Sequence, residues 1–139
     1  EDMSTVIRPE LSKKNEYWLE KHRYYELKHF CLQYPIWSQE YTALNGFSSA
    51  PGELLTKPTG YGDPTFDVAE KRMYYSVRMD MIKDAVYEAD PDLGVYIFKG
   101  ITEGLSYETL KARLEIPCSK DTYYNRYRKF FYLLDKSRK

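Results

Sequence analysis

Four helix-start signals divide the chain more sharply than any other feature of its sequence. Two are Asp-Pro pairs, Asp63-Pro64 and Asp90-Pro91, and two are serines that precede amphipathic stretches, Ser106 and Ser119. The aspartate or serine oxygen accepts hydrogen bonds from the free amides of the first turn, and proline is tolerated there because its missing N–H would have no partner. The sequence shows no strand-like alternation of apolar and polar residues. We therefore expect an all-α fold.

The amino-terminal half predicts an arm followed by two helices. Residues 1–14 lack helical periodicity, and from Asn15 the pattern becomes helical. Pro35 should end or kink that helix, because it lacks an amide hydrogen and crowds the preceding turn. A shorter helix is expected over residues 36–44, and a Gly- and Pro-rich polar loop over residues 45–62. The first helix has its apolar side chains at Trp18, Tyr25, Phe30 and Leu32.

The next stretch predicts a long helix and a short one. The long helix should begin at Pro64 and run to about Ala89, and the short one should follow Asp90-Pro91 and end near Gly100. The first and third helices are long enough to pack antiparallel, so residues 15–100 are expected to form a helical hairpin. The long helix has its apolar positions at Val68, Met73 or Tyr75, Met79, Ile82 and Val86.

Residues 101–139 have the pattern of a helix-turn-helix. Ser106 should cap a helix over residues 107–114, Pro117 prevents its continuation, and Ser119 should cap a second helix that ends near Lys136. The apolar side of the second helix consists of Tyr123, Tyr127, Phe130 or Phe131, and Leu134. The opposite side consists of Lys120, Thr122, Tyr124, Asn125, Arg128 and Lys129.

Charge is distributed unevenly along a chain whose net charge is zero. Residues 107–139 contain nine Lys and Arg against four Asp and Glu, a charge of +5, which leaves −5 on the remainder. A basic end on an acidic body is the asymmetry expected of a module that binds phosphates. The second helix also has the side chains that read bases in the major groove, since Asn125 can pair with adenine and Arg128 can bind guanine or phosphate.

Two sequence strings carry a resemblance to a known family. GLSYETLKARLEI, residues 104–116, and SKDTYYNRYRKFF, residues 119–131, resemble the two helices of the helix-turn-helix in sigma-factor region four. The whole layout is similar to phage regulators of the RinA type, which join a helical hairpin to such a module. The resemblance implies a transcriptional regulator of phage or prophage late or packaging genes. Departures are Lys111, where the family has a small residue, and a connection about two residues longer.

The resemblance also assigns positions within the module. It places Leu110, Leu114, Ile116, Tyr123 and Tyr127 in the core. It places Lys120, Asp121, Thr122, Tyr124, Asn125 and Arg128 toward DNA, and the spacing adds Lys129 to that set.

Other functional classes receive little support from the residues. The side chains of His22, Glu26 and His29 share one side of a helix, but a single helix offers three ligands and no supporting shell, so we expect a solvated polar face and no metal. Cys31 and Cys118 are far apart and predict reduced thiols. No apolar run is long enough for a membrane span. We expect a non-enzymatic protein without cofactors, in the cytoplasm of a bacterial host.

The expected partners follow from these assignments. They are double-stranded DNA, a second copy of the chain in a homodimer, and RNA polymerase, with the hairpin providing either the dimer contact or the polymerase contact. The alternative is a phage protein-protein interaction module that binds a host or packaging protein through its acidic body.

Overall fold

The structure is built from helices. The computed structural model describes residues 14–48 and 64–139, and every regular element within those residues is an α-helix, which confirms the all-α expectation. In chain order the helices are α1 (Lys21–Leu32), α2 (Tyr34–Ser48), α3 (Pro64–Ala89), α4 (Gly94–Glu103), α5 (Tyr107–Leu114) and α6 (Lys120–Ser137).

In the second half of the chain, local start and stop signals set the helix ends. Helix α3 runs from Pro64 to Ala89 as predicted. The carboxylate of Asp90 then accepts hydrogen bonds from the amides of Asp92 (2.9 Å) and Leu93 (3.0 Å), which stabilises the turn before α4. Helix α4 runs from Gly94 to Glu103, about three residues later at each end than predicted. It is followed by Gly104, whose φ of 72° lies in the left-handed region that glycine enters without a steric penalty.

The start of the first helix differs from its prediction. Asn15 accepts a hydrogen bond from the amide of Tyr17 (2.7 Å) in a separate turn, and α1 begins only at Lys21. The cap of α1 is Glu20, whose carboxylate accepts from the amides of His22 (3.0 Å) and Arg23 (3.2 Å). Glutamate is not among the preferred capping residues, so the sequence signal at Asn15 was the stronger of the two.

The predicted helix break at Pro35 is confirmed, but the following helix is longer than expected. Helix α1 ends at Leu32, and Pro35 lies in the first turn of α2, where its missing N–H costs little. Helix α2 continues to Ser48, so the prediction of a loop from Asn45 is wrong at its start. A single glycine such as Gly46 weakens a helix by roughly 1 kcal/mol without ending it. Residues 49–62 of that loop and residues 1–13 of the arm lie outside the described residues.

The chain divides into two compact units. One, here called the main unit, consists of residues 81–139 and the described part of residues 1–33; the other consists of the described part of residues 34–80. These boundaries differ from the predicted division into residues 15–100 and 101–139. Helices α4, α5 and α6 therefore share a unit with α1.

In the main unit, α4 packs against three helices, α1, α5 and α6. Helix α1 packs against α4 and α6, and α4 packs against α5 and α6. The extensive contacts of α1 are thus with α4 and α6. They do not include the contact with α3 that the predicted hairpin of the first and third helices requires. On α1 the buried residues are Tyr24, Leu27, Phe30 and Cys31, whereas Trp18, Tyr25 and Leu32 are only half-buried.

Polar groups join α1 to α6 within this core. The Nε of Arg23 donates to Oδ1 of Asp135 at 2.6 Å, and the hydroxyls of Tyr24 and Tyr127 are hydrogen-bonded at 3.0 Å. The Tyr24 ring also meets Phe131 edge to face, with 5.2 Å between centroids. Because buried hydroxyls and carboxylates are costly without partners, these pairs help to specify how the two helices dock.

The second unit combines α2 with the first part of α3. The guanidinium of Arg72 lies over the ring of Tyr41, 5.5 Å from its centroid. Along α3, the predicted apolar positions Met79, Ile82 and Val86 are buried, whereas Met73 is exposed.

Candidate nucleic-acid interface

The two carboxy-terminal helices begin at the serine caps that the sequence predicts. The hydroxyl of Ser106 accepts from the amide of Thr109, and that of Ser119 accepts from the amide of Thr122, each at 3.2 Å. Helix α5 ends at Leu114 and is followed by Glu115, which adopts a left-handed φ of 55° two residues before Pro117. The connection from Glu115 to Ser119 therefore turns the chain sharply between two capped helices.

Side chains from α5 and α6 fix this connection. The hydroxyl of Tyr107 donates to the carbonyl oxygen of Cys118 at 2.6 Å, and the amide of Tyr107 donates to the hydroxyl of Tyr124 at 3.3 Å. Leu110 and Ile116 are fully buried, as predicted. Tyr107 thus ties the start of α5 to the end of the connection and to the second turn of α6.

Two of the predicted positions within this pair of helices are wrong. Tyr124, assigned to DNA contact, is only 6% exposed, and its ring packs edge to face on Tyr123 and Tyr127. Its hydroxyl reaches Tyr107, so the ring can be buried without leaving a polar group unpaired. Leu114, assigned to the core, is 38% exposed, because α5 ends there and its last turn faces outward.

The first turn of α6 presents three of the predicted residues to solvent. Lys120, Asp121 and Thr122 are exposed. The ammonium of Lys120 lies 2.7 Å from the carboxylate of Glu108, which raises the pKa of Lys120 and lowers that of Glu108. Both side chains are solvent-exposed, so the pair is weak and Lys120 can exchange its partner for a phosphate.

The remaining predicted residues on α6 are half-buried. The amide oxygen of Asn125 accepts from Nη1 of Arg126 at 2.7 Å. The Nε of Arg128 is buried and has no hydrogen-bond partner among the described residues, and burial lowers the pKa of this guanidinium. Lys129 lies one turn after Asn125 on the same side of the helix. Within α6, all of which is described, the exposed residues lie in the first and last turns.

Several cations of the basic tail interact within the protein. Arg126 bonds to Asp90 (3.2 Å) and Lys139 to Asp135 (3.5 Å). Lys136 lies over the Tyr132 ring and Arg138 over the Phe30 ring, 4.4 and 3.8 Å from the centroids. The charge of +5 in the sequence therefore does not form a continuous open basic stripe. Lys111 and Arg113 on α5 are exposed, although neither was assigned to the site.

The link between Asp90 and Arg126 was missed at the sequence level. Asp90 was interpreted as a helix cap, and one of its oxygens does cap the turn before α4. Its other oxygen accepts from the Nε of Arg126, which is 36 residues away. A local pattern holds no signal for such a contact.

The described residues contain neither a metal-ligand cluster nor a membrane-spanning helix. No cluster of three or more His, Cys, Asp or Glu side chains there could hold a metal ion. None of the described helices is long and apolar enough to cross a membrane. Cys31 and Cys118 are free, and burial raises the pKa of each thiol.

No protein-family model, curated protein or solved structure matches this chain.

Proposed function

We propose that the chain is a sequence-specific regulator that binds double-stranded DNA, with α5 and α6 as a helix-turn-helix and α6 as its recognition helix. The resemblance of residues 104–116 and 119–131 to sigma-factor region four extends the proposal to transcriptional regulation of phage or prophage late or packaging genes. RNA polymerase is the protein partner that this role implies.

The outward side of the first turns of α6 carries the proposal. Asp121, Asn125 and Lys129 follow one another at spacings of four, and so lie on one side of the helix. Tyr123 and Tyr127 lie on the opposite, buried side. A recognition helix contacts base edges mainly through its amino-terminal residues, so burial of the later turns of α6 is compatible with docking.

The chemistry of these side chains suits a DNA groove. An asparagine amide can pair bidentately with adenine, and a carboxylate such as that of Asp121 can accept from the exocyclic amine of cytosine. Arg128 and Lys129 are adjacent, half-buried cations on α6. A phosphate would satisfy both cations, because charge-assisted hydrogen bonds to phosphate are strong. The proposed contact set is therefore Lys120, Asp121, Thr122, Asn125, Arg128 and Lys129.

We expect the purified protein to bind a selected duplex with strong salt dependence. Replacing Asn125 with alanine should reduce discrimination at one A·T pair by about tenfold, because a bidentate base contact is lost. Replacing Arg128 with alanine should weaken binding to all duplexes and lower the slope of log affinity against log salt by about 1. Fluorescence anisotropy across a salt series, on sites selected from a random duplex library, measures both effects.

Lys136→Ala provides a matched control on the same helix. Lys136 is a cation in the last turn of α6 and lies over Tyr132, away from the proposed contact set. The Lys136→Ala substitution should leave the slope of log affinity against log salt unchanged. The proposal fails if the wild-type protein binds no duplex at 50 mM salt, or if Lys136→Ala and Arg128→Ala have equal effects.

A second candidate function is protein-protein interaction through α3. Phe66, Met73 and Val77 are 57%, 63% and 44% exposed, and their spacings of seven and four place them on one side of the helix. Contiguous exposed apolar side chains typically mark interaction surfaces. This surface favours either the homodimer expected from the sequence or a complex with a host or packaging protein.

We expect Met73→Glu to weaken self-association of the chain by at least tenfold, because it places a charge within an apolar contact. Sedimentation equilibrium measures the change. Lys83→Glu, a charge substitution at an exposed position of α3 beyond this surface, should leave association unchanged. This candidate function would be contradicted if the wild-type protein remains monomeric at 100 µM and also binds no partner protein whose binding is lost in Met73→Glu.

A further inference from the structure

A chain of polar contacts leads from the α3–α4 turn to Asn125 on α6. All its members lie in the main unit. It starts at Asp90, whose side chain is 18% exposed and whose Oδ1 accepts from the amides of Asp92 and Leu93. Two backbone hydrogen bonds to one carboxylate oxygen fix the orientation of the whole group. The Oδ2 atom of Asp90 is thereby held in a defined direction.

Arg126 carries this orientation to the next residue. Its Nε donates to Oδ2 of Asp90 at 3.2 Å, and its Nη1 donates to Oδ1 of Asn125 at 2.7 Å. A guanidinium is planar and rigid, so fixing one of its nitrogens restricts the other two. Because it has donors and no acceptor, the atom that Asn125 turns toward it must be the amide oxygen.

The consequence is a defined state of the Asn125 amide. With its oxygen held by Arg126, the amide nitrogen points away from the guanidinium with its donors unused by any described residue. The carbonyl oxygen keeps a second lone pair for another donor. Such an amide has lost part of its rotational freedom before it meets a ligand, and that entropic cost is then not incurred on binding.

We propose that Asp90 and Arg126 are positioning residues that preset the Asn125 amide for reading an adenine. The inference rests on the proposed DNA-binding function and deepens it, by assigning base discrimination to two residues that need not touch a base. Adenine presents an N7 acceptor and an N6 donor to the major groove, and a preset amide meets both at once.

The test uses two variants that break the contact chain with opposite changes in charge. Asp90→Asn retains the oxygen that caps the turn but replaces the acceptor for Arg126 with an amide NH2 group, which is a donor, and it makes the protein more positive. Arg126→Met keeps the length of the side chain but removes every donor, and it makes the protein more negative. Non-specific attraction to DNA should therefore change in opposite directions in the two variants.

The measured quantity is the dissociation constant for an altered duplex divided by that for the selected duplex. The selected duplex is the site obtained from a random 20-bp library. The altered duplex differs from it at the A·T pair where Asn125→Ala loses discrimination. We expect both variants to reduce this ratio by about three- to tenfold. In the Asn125→Ala background, adding Asp90→Asn should change the ratio by less than about twofold, since the positioned group is absent. Circular dichroism confirms that each variant is folded.

A second measurement is independent of DNA. The side-chain amide resonances of Asn125, assigned by their loss in Asn125→Ala, should shift in Asp90→Asn in the free protein. The positioning role would be overturned if the Asn125 amide resonances do not shift. It would also be overturned if both variants keep the wild-type ratio of dissociation constants while Asn125→Ala loses discrimination. Either outcome leaves the proposal of DNA binding intact. A wild-type protein that binds no duplex would overturn both proposals.

Discussion

Replacing Arg23 with alanine should lower the free energy of unfolding by about 3 kcal/mol. Arg23 is the close partner of Asp135, which lies in the last turns of α6 and is only 11% exposed. Without the guanidinium, the Asp135 carboxylate stays largely buried. Its remaining partner is Lys139, which lies 3.5 Å away and is itself highly exposed. A buried charge that loses its close partner is strongly destabilising. Arg23 is itself 26% exposed, which places the effect at the lower end of the usual range.

The second acidic partner of Arg23 supplies the matched control. Glu26 receives a hydrogen bond from Arg23 at 3.0 Å, but it is 63% exposed. We expect Glu26→Gln to change stability by less than about 0.5 kcal/mol, because solvent screens an exposed pair. Urea denaturation at pH 7 measures all variants. The double variant Arg23→Ala/Asp135→Ala should cost less than the sum of the single changes, and equal losses for Arg23→Ala and Glu26→Gln would contradict the prediction.

Helix ends were predictable where local chemistry determines them. Ser106 and Ser119 each accept from the amide three residues further on, and Pro64 occupies a position where its missing N–H needs no partner, so the starts of α3, α5 and α6 can be inferred without knowing the rest of the molecule. The start of α1 could not be inferred in this way. Both Asn15 and Glu20 accept backbone hydrogen bonds, and the choice of where the helix begins depends on packing against α4 and α6.

The buried side of α6 was only partly predictable. Tyr123, Tyr127 and Leu134 are buried as expected, but Tyr124 and Asp135 are buried as well. Tyr124 follows Tyr123 and precedes Tyr127 by three residues, so helical spacing is compatible with either side. Its burial depends on a hydroxyl partner on α5, and that of Asp135 depends on Arg23, which is 112 residues away. Contacts of this range cannot be obtained from periodicity.

The same limit applies to the proposed interface. The sequence correctly placed Lys120, Asp121 and Thr122 on an exposed first turn, since they follow a cap and precede the apolar stripe. It treated the tail cations as one basic group, whereas the fold pairs Arg126 with Asp90 and places Arg138 over Phe30. Net charge therefore overstated the surface available to phosphates.

Replacing Gly100 with alanine should destabilise the main unit by about 2–3 kcal/mol, although alanine favours a helix over glycine by roughly 1 kcal/mol. Gly100 lies within α4, and a Cβ added there would overlap the hydroxyl of Tyr123 on α6. Tyr123 is fully buried, so its ring cannot swing into solvent. The overlap must instead move α4 away from α6, and the packing between the two helices is lost.

The Tyr123 hydroxyl makes this prediction specific, because the hydroxyl can be removed separately. It is buried without a hydrogen-bond partner among the described residues, so Tyr123→Phe should be neutral or slightly stabilising. Removing the oxygen also frees the space that the alanine needs. In Gly100→Ala/Tyr123→Phe we therefore expect at least about 1 kcal/mol of the loss to be recovered.

Gly94→Ala serves as the control on the same helix. A Cβ at Gly94 would lie 2.5 Å from a ring carbon of Tyr87, an overlap of comparable severity. Tyr87 is 49% exposed and its ring can rotate toward solvent, so the cost should stay below about 1 kcal/mol. Chemical denaturation of the four variants measures these differences. If Gly94→Ala and Gly100→Ala are equally destabilising, or if Tyr123→Phe gives no recovery, close packing of α4 on the Tyr123 hydroxyl does not determine the docking of these helices.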